Sequence, residues 1–229
     1  MNYEVINGVL NLNSKGLTEV PDEVWELKNV KTLVLNNNQL TTVSPGIANL
    51  GNSLTRLYLT GNKLLNLPPE IKELSNLVEL YLNHNQLTTL PNEIWQLKSL
   101  QILDLSQNPL GYLPPQIENL ADSLTQLCLT ETKLLALPPE IGKLHNLTKM
   151  QVNNNKLTEL PNEFWQLNNL VMLDIRKNKL TYISPQIANL RDNLKELLLA
   201  GNKLNLPFKP VQFTTGTVIK KMIAHFEHF

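Results

Sequence analysis

The sequence predicts an α/β solenoid: short parallel strands stacked on one side, with short α or 3₁₀ turns carrying the chain back across the other. Three observations predict it. The pattern L-x-x-L-x-L-x-x-N-x-L recurs in nine copies along 229 residues. The copies start at positions 7, 30, 54, 77, 100, 124, 147, 170 and 194, so successive steps are equal to within a single position. Within each copy, apolar and variable positions alternate with the period of a strand.

Taken in order, the first copy is the weakest, NGVLNLNSKGL at 7–17. VKTLVLNNNQL (30–40), LTRLYLTGNKL (54–64), LVELYLNHNQL (77–87) and LQILDLSQNPL (100–110) follow. LTQLCLTETKL (124–134), LTKMQVNNNKL (147–157), LVMLDIRKNKL (170–180) and LKELLLAGNKL (194–204) complete the series. The long and short steps themselves recur with every third copy. Trp25, Trp95 and Trp165 keep that longer rhythm inside VPDEVWEL (20–27), LPNEIWQL (90–97) and LPNEFWQL (160–167). The copies that are longer by one position carry SPGIANL (44–50), PPQIENL (114–120) and SPQIANL (184–190), and the third type carries LPPEI at 67–71 and 137–141. A block of three repeats has therefore been duplicated, and internal periodicity of this kind marks a repeat architecture.

Each element has a physical reason. In the copy at 77–87, Leu80 and Leu82 point inward and Tyr81 points outward. One such strand cannot bury its apolar side alone; stacked copies share one continuous core, each touching its neighbours. In the return segment Pro91 lacks an N–H and fixes φ, which suits the start of a helical turn. Leu90, Ile94 and Leu97 then share one face of an α or 3₁₀ segment. The asparagine follows the strand where the chain turns sharply, and its amide both donates to and accepts from buried backbone groups. The expected ladder is Asn38, Asn62, Asn85, Asn108, Asn155, Asn178 and Asn202. Thr132 replaces the asparagine in one copy and serves less well, and Lys15 replaces it in the first, where burial is slight.

A single domain over 1–229 is expected, with repeats at 7–207 and a C-terminal cap at 208–229. Val218, Ile219, Met222, Ile223 and Phe226 form an amphipathic stripe that suits a capping helix. A membrane-surface or partner-binding helix is the alternative, with Lys220, Lys221 and two histidines as its thin polar side. At the other end Tyr3, Val5 and Ile6 cover the first repeat briefly.

Composition narrows the function. Lys+Arg and Asp+Glu number 20 each, so the footprint of a nucleic-acid binder is missing. A single cysteine, Cys128, forms no internal disulfide, which excludes a disulfide-stapled extracellular domain. The opening residues MNYEVINGVL do not read as a secretory signal, and no apolar run is long enough to span a membrane. A monomer in the cytoplasm is expected, or one exported without an N-terminal signal into a host cell.

The nine copies resemble the leucine-rich repeat family over roughly residues 7–207, and the LPxEI segments resemble those of bacterial and intracellular members. The resemblance implies a right-handed, curved, horseshoe-like solenoid with a concave parallel sheet and convex helical turns. It also implies protein recognition through the concave strands. Some bacterial members are effectors delivered into host cells; those with a ubiquitin-ligase domain carry it after the repeats, where this sequence offers only positions 208–229. Secreted animal members usually have cysteine-rich caps, and this sequence has none.

Strands about 4.8 Å apart give nine of them a face about 40 Å long, enough for a folded domain or an extended segment of a partner. Tyr58 and Tyr81 are adjacent in the central outward column, with Arg56 and Glu79 beside them and His84, Ile102 and Asp104 close by. Aromatic and arginine residues dominate binding hot spots, so these residues, with Cys128, are the candidate protein-binding set. The competing reading is that the tyrosines stack and Arg56 pairs with Glu79 as ordinary sheet contacts. A second, polar candidate is Lys149, Asp174, Arg176 and Lys177, against which stands ordinary scattered surface charge. The tryptophans read as packing along the neighbouring turn, with a convex docking surface as the alternative.

Catalytic signatures are missing. Cys128 needs a base within reach, and the nearest concave histidine, His84, lies two strands away, about 10 Å. His145, His225 and His228 show no metal-ligand spacing, and there is no phosphate loop. Asp104 and Asp174 recur with the three-repeat block and are not a paired acid and base. A non-enzymatic binding module without metal or cofactor is expected; an enzyme subunit, or a peptide- or glycan-binding protein using the same groove, is the alternative.

Overall fold

The computed structural model describes residues 3–205 and Gly216. The expected cap at 208–229, including the stripe from Val218 to Phe226, His225 and His228, lies outside the described residues apart from Gly216. The chain forms two compact units, Met1–Leu110 and Gly111–Phe229.

In the first unit the strands are β1 (Val9–Asn11), β2 (Thr32–Val34), β3 (Arg56–Tyr58), β4 (Glu79–Tyr81) and β5 (Ile102–Asp104). They pair parallel and in sequence order, one per repeat. The second unit repeats the plan with β6 (Gln126–Cys128), β7 (Lys149–Gln151), β8 (Met172–Asp174) and β9 (Glu196–Leu198). Each unit thus has the leucine-rich solenoid plan that the periodicity predicts.

The core follows from the alternation. Leu57, Leu80 and Leu103 in the first unit, and Leu127, Met150 and Leu173 in the second, are wholly buried at the middle of their strands. Burial of one such side chain stabilises by about 1.5–3 kcal/mol. The return segments are all 3₁₀ among the described residues, for example Asn92–Gln96 and Asn162–Gln166. Segments this short favour the tighter i→i+3 bond, and the Leu97 N–H closes one on Ile94 O at 3.3 Å. Pro91 precedes its segment as expected, with φ −65°. Leu90 and Leu160 are only half-buried, so the apolar face of these segments is narrower than the sequence suggests.

The asparagines stitch consecutive coils. Asn85 Nδ2 donates to Leu59 O and Leu82 O, both at 2.9 Å, and its Oδ1 accepts the Leu64 N–H at 3.0 Å. Asn155 does the same with Leu129 O, Val152 O and the Leu134 N–H. Thr132 is fully buried; its hydroxyl donates to Leu129 O at 2.7 Å, and its backbone N–H donates to Asn155 Oδ1 at 3.1 Å. Lys15 is exposed, and its backbone N–H donates to Asn38 Oδ1. The residue before the asparagine commonly adopts a left-handed turn, as at His84 (φ 57°) and Gln107 (φ 55°), and Glu131 (φ 57°) does so before Thr132.

Trp25, Trp95 and Trp165 are buried on the turn side. A side chain on Gly46 would meet Trp25 Cδ1 at 2.7 Å, and Phe164 meets Trp165 edge-on with ring centroids 5.3 Å apart. None offers its ring to a partner; the rings are packing elements.

Candidate protein-binding surface

Parallel pairing in the first unit sets two rows of outward side chains in register. Arg56, Glu79 and Ile102 stand in one row and Tyr58, Tyr81 and Asp104 in the next. Because the inward leucines fix every second position, the outward residues have no choice of face.

The tyrosine rings stack with centroids 4.9 Å apart and planes 9° from parallel. Glu79 joins the rows: its Oε1 accepts from Arg56 Nε at 2.9 Å and its Oε2 from the Tyr58 hydroxyl at 3.0 Å. Burial and then the bond to Glu79 push the Tyr58 phenol up to about 12. Arg56 is held above its ordinary value by its hydrogen bond to Glu79. The stack and the ion pair of the competing reading are therefore both present. They also fix the rotamers of the same residues, and the Arg56 side chain keeps 51% of its surface exposed. Ile102 and Asp104 are half-buried beside them, and His84 is exposed on the turn after β4.

The remaining expected residues lie in the second unit. Cys128 is half-buried, and its thiol donates to Gln151 Oε1 at 3.2 Å. Lys149 is half-buried on β7 and Lys177 is exposed. Asp174 departs from the expectation of an exposed charge: it is 1% exposed because Arg176 folds back over it. Arg176 Nε reaches Asp174 Oδ1 at 2.9 Å and Nη2 reaches Oδ2 at 2.6 Å. That hydrogen-bonded pairing raises the arginine further. Asp174 is thus unavailable to a partner in this arrangement, whereas Arg176 remains partly exposed.

One column went unremarked in the sequence. Thr60 donates to Asn83 Oδ1 at 2.7 Å, and Thr130 donates to Asn153 Oδ1 at 2.7 Å. The signal was the recurrence of Asn, Thr and Ser two places before the ladder asparagine. Elsewhere in the first unit, a mainly apolar cleft of about 810 Å³ lies at the β1 end, lined by Ile6, Val9, Leu10 and Leu17 among others. It is not at the tyrosine cluster. Among the described residues no group of three His, Cys, Asp or Glu side chains could hold a metal ion. No described helix is long and apolar enough to cross a membrane.

Comparison with known proteins agrees with this geometry. The family described as Leucine rich repeat matches residues 9–64, 52–110 and 122–180. The chain is similar to a leucine-rich repeat protein of Leptospira interrogans, with 40% identity and a TM-score of 0.82, over 87% of this chain and 50% of that one. It is similar to the ectodomain of the Arabidopsis thaliana receptor kinase GASSHO1/SCHENGEN3, solved in complex with Casparian strip integrity factor 2. There the identity is 33% and the TM-score 0.70, over 81% of this chain and 23% of that one. Internalin C2 of Listeria monocytogenes matches with 25% identity and a TM-score of 0.65, over 81% of this chain and 77% of that one.

Proposed function

The chain belongs to the leucine-rich repeat family, and we propose that it is a non-enzymatic module that takes a partner protein on the outward strand face of its first unit. The single observation that carries this reading is the braced cluster of Arg56, Tyr58, Glu79 and Tyr81. Two aromatic rings held by stacking and by a shared carboxylate lose little freedom on binding, so more of their contact energy appears as affinity. Ile102 and Asp104 extend the surface across β5, and His84 edges it. The Arabidopsis receptor ectodomain, solved with its partner, supports partner recognition as the use of such a scaffold. Likeness to chains from Leptospira and Listeria supports a bacterial setting, and an effector working inside a host cell is the finer form of the proposal.

The test is retention of a partner from host and bacterial lysates on the immobilised chain, wild type against Tyr58→Ala/Tyr81→Ala. A hot-spot residue costs about 2 kcal/mol or more on truncation, so the double variant loses the band while its circular dichroism is unchanged. A band kept by the folded double variant places the surface elsewhere.

A further inference from the structure

Asp104 at the end of β5 and Asp174 at the end of β8 are matched positions of the duplicated three-repeat block. Both close the same turn: Oδ1 accepts the backbone N–H two places on, from Ser106 at 2.9 Å and from Arg176 at 3.1 Å. Beyond that bond the two differ. Arg176 turns back and engages both oxygens of Asp174, leaving the aspartate buried. Ser106 is too short to do this. Asp104 is half-buried, and no hydrogen bond or ion pair engages its Oδ2 among the described residues.

The surroundings of Asp104 favour a cation from outside. Arg56 and Glu79 neutralise each other, which leaves Asp104 as the strand charge of β3–β5 without a counter-ion among the described residues. Its cross-strand neighbour is Tyr81, whose ring is held by Tyr58. A planar guanidinium pairs with a carboxylate through two parallel N–H···O bonds and lies favourably against an aromatic ring. An ammonium offers no such planar fork.

We propose that Asp104, with Tyr81 beside it, receives an arginine side chain of the partner protein in the clamp that Arg176 makes internally at Asp174. The proposal rests on the reading that the strand face of the first unit is the binding surface, and it names the chemistry of what that surface takes.

The test uses the ¹⁵N-labelled full chain and the peptide acetyl-Ala-Arg-Ala-amide, with lysine and citrulline versions as controls. With the arginine peptide the Tyr81, Asp104 and Ser106 amide signals shift and saturate. Binding is at least fivefold weaker with citrulline, which keeps the shape and loses the charge, and weaker with lysine. The shifts disappear in Asp104→Asn. They also disappear in Ser106→Arg, which supplies an internal guanidinium and keeps the aspartate, so a well-folded spectrum of that variant separates occlusion from unfolding. Missing shifts in the wild type, equal shifts with citrulline, or undiminished shifts in folded Ser106→Arg overturn the proposal. If the arginine peptide fails while Tyr58→Ala/Tyr81→Ala still loses the partner, only the arginine assignment falls. If the peptide binds as expected while that double variant keeps the partner, the surface reading falls.

Discussion

The strand face β3–β5 and the strand face β6–β8 are the same design written twice, one three-repeat block apart, and they no longer carry the same chemistry. Arg56, Tyr58, Glu79 and Tyr81 in the first correspond to Gln126, Cys128, Lys149 and Gln151 in the second. A stacked, charge-braced aromatic pair in one place becomes a thiol–amide hydrogen bond in the other. The buried positions changed far less: Leu57, Leu80 and Leu103 correspond to Leu127, Met150 and Leu173, and Trp95 to Trp165. Core packing constrains what points inward, while the pleat leaves outward positions free to diverge. That separates residues that hold the solenoid from residues whose surface chemistry is free to change.

Matched substitutions test the separation. Asn85→Ala and Asn155→Ala occupy equivalent rungs, and each strands several buried backbone groups. At about 1–3 kcal/mol for each unpaired group, both lose roughly 3–5 kcal/mol in denaturant unfolding. A large inequality between them would mean that the two copies are not held alike.

A smaller effect exposes a real difference on the turn side. At Gly142 an added Cβ would lie 2.2 Å from Glu163 O, whereas the matched residue, Lys72, already carries a side chain and is exposed. Gly142→Ala loses about 1–3 kcal/mol by overpacking, and Lys72→Ala changes stability by about 0.5 kcal/mol or less. Thermal unfolding of the two variants beside the wild type checks the contrast.

Smaller still is the left-handed turn. Glu131 holds φ 57° where its counterpart is Gly61 at φ 69°. Glu131→Gly gains about 0.5–1 kcal/mol in denaturant unfolding, the cost of a left-handed residue less the entropy of glycine.

The least perturbing measurement is a titration. Tyr58 is raised from 10.0 to about 12, so the stability it contributes is complete below about pH 10 and is lost as pH rises through about 12. Ultraviolet absorbance of the phenolate, taken as the difference between wild type and Tyr58→Phe, locates the transition. Glu79→Gln moves it down by removing the charge, while burial still holds it above an ordinary tyrosine.

Much of this was legible in the sequence, for a physical reason. A regular period carrying alternating leucines fixes strand position, direction and register at once. The neighbouring columns Tyr58–Tyr81 and Arg56–Glu79 follow from register alone. What was not legible depends on side-chain reach and local turn geometry. Asp174 read as an exposed charge because the sequence does not say that Arg176 folds back across its turn. Propensity could not choose between α and 3₁₀ for segments as short as Asn92–Gln96. The Glu79 bridge to the Tyr58 hydroxyl needed the strand spacing and the rotamers together.

In the proposed function the partner meets the strand face of the first unit and not its matched copy. Ile102 and Met172 are equivalent, outward-facing and half-buried, so a photo-crosslinking phenylalanine analogue placed at either reports on one face. Irradiation in the presence of the captured partner should give a covalent adduct from position 102 and none from position 172. An adduct from 172 alone, or equal adducts from both, would place the partner on the other strand face.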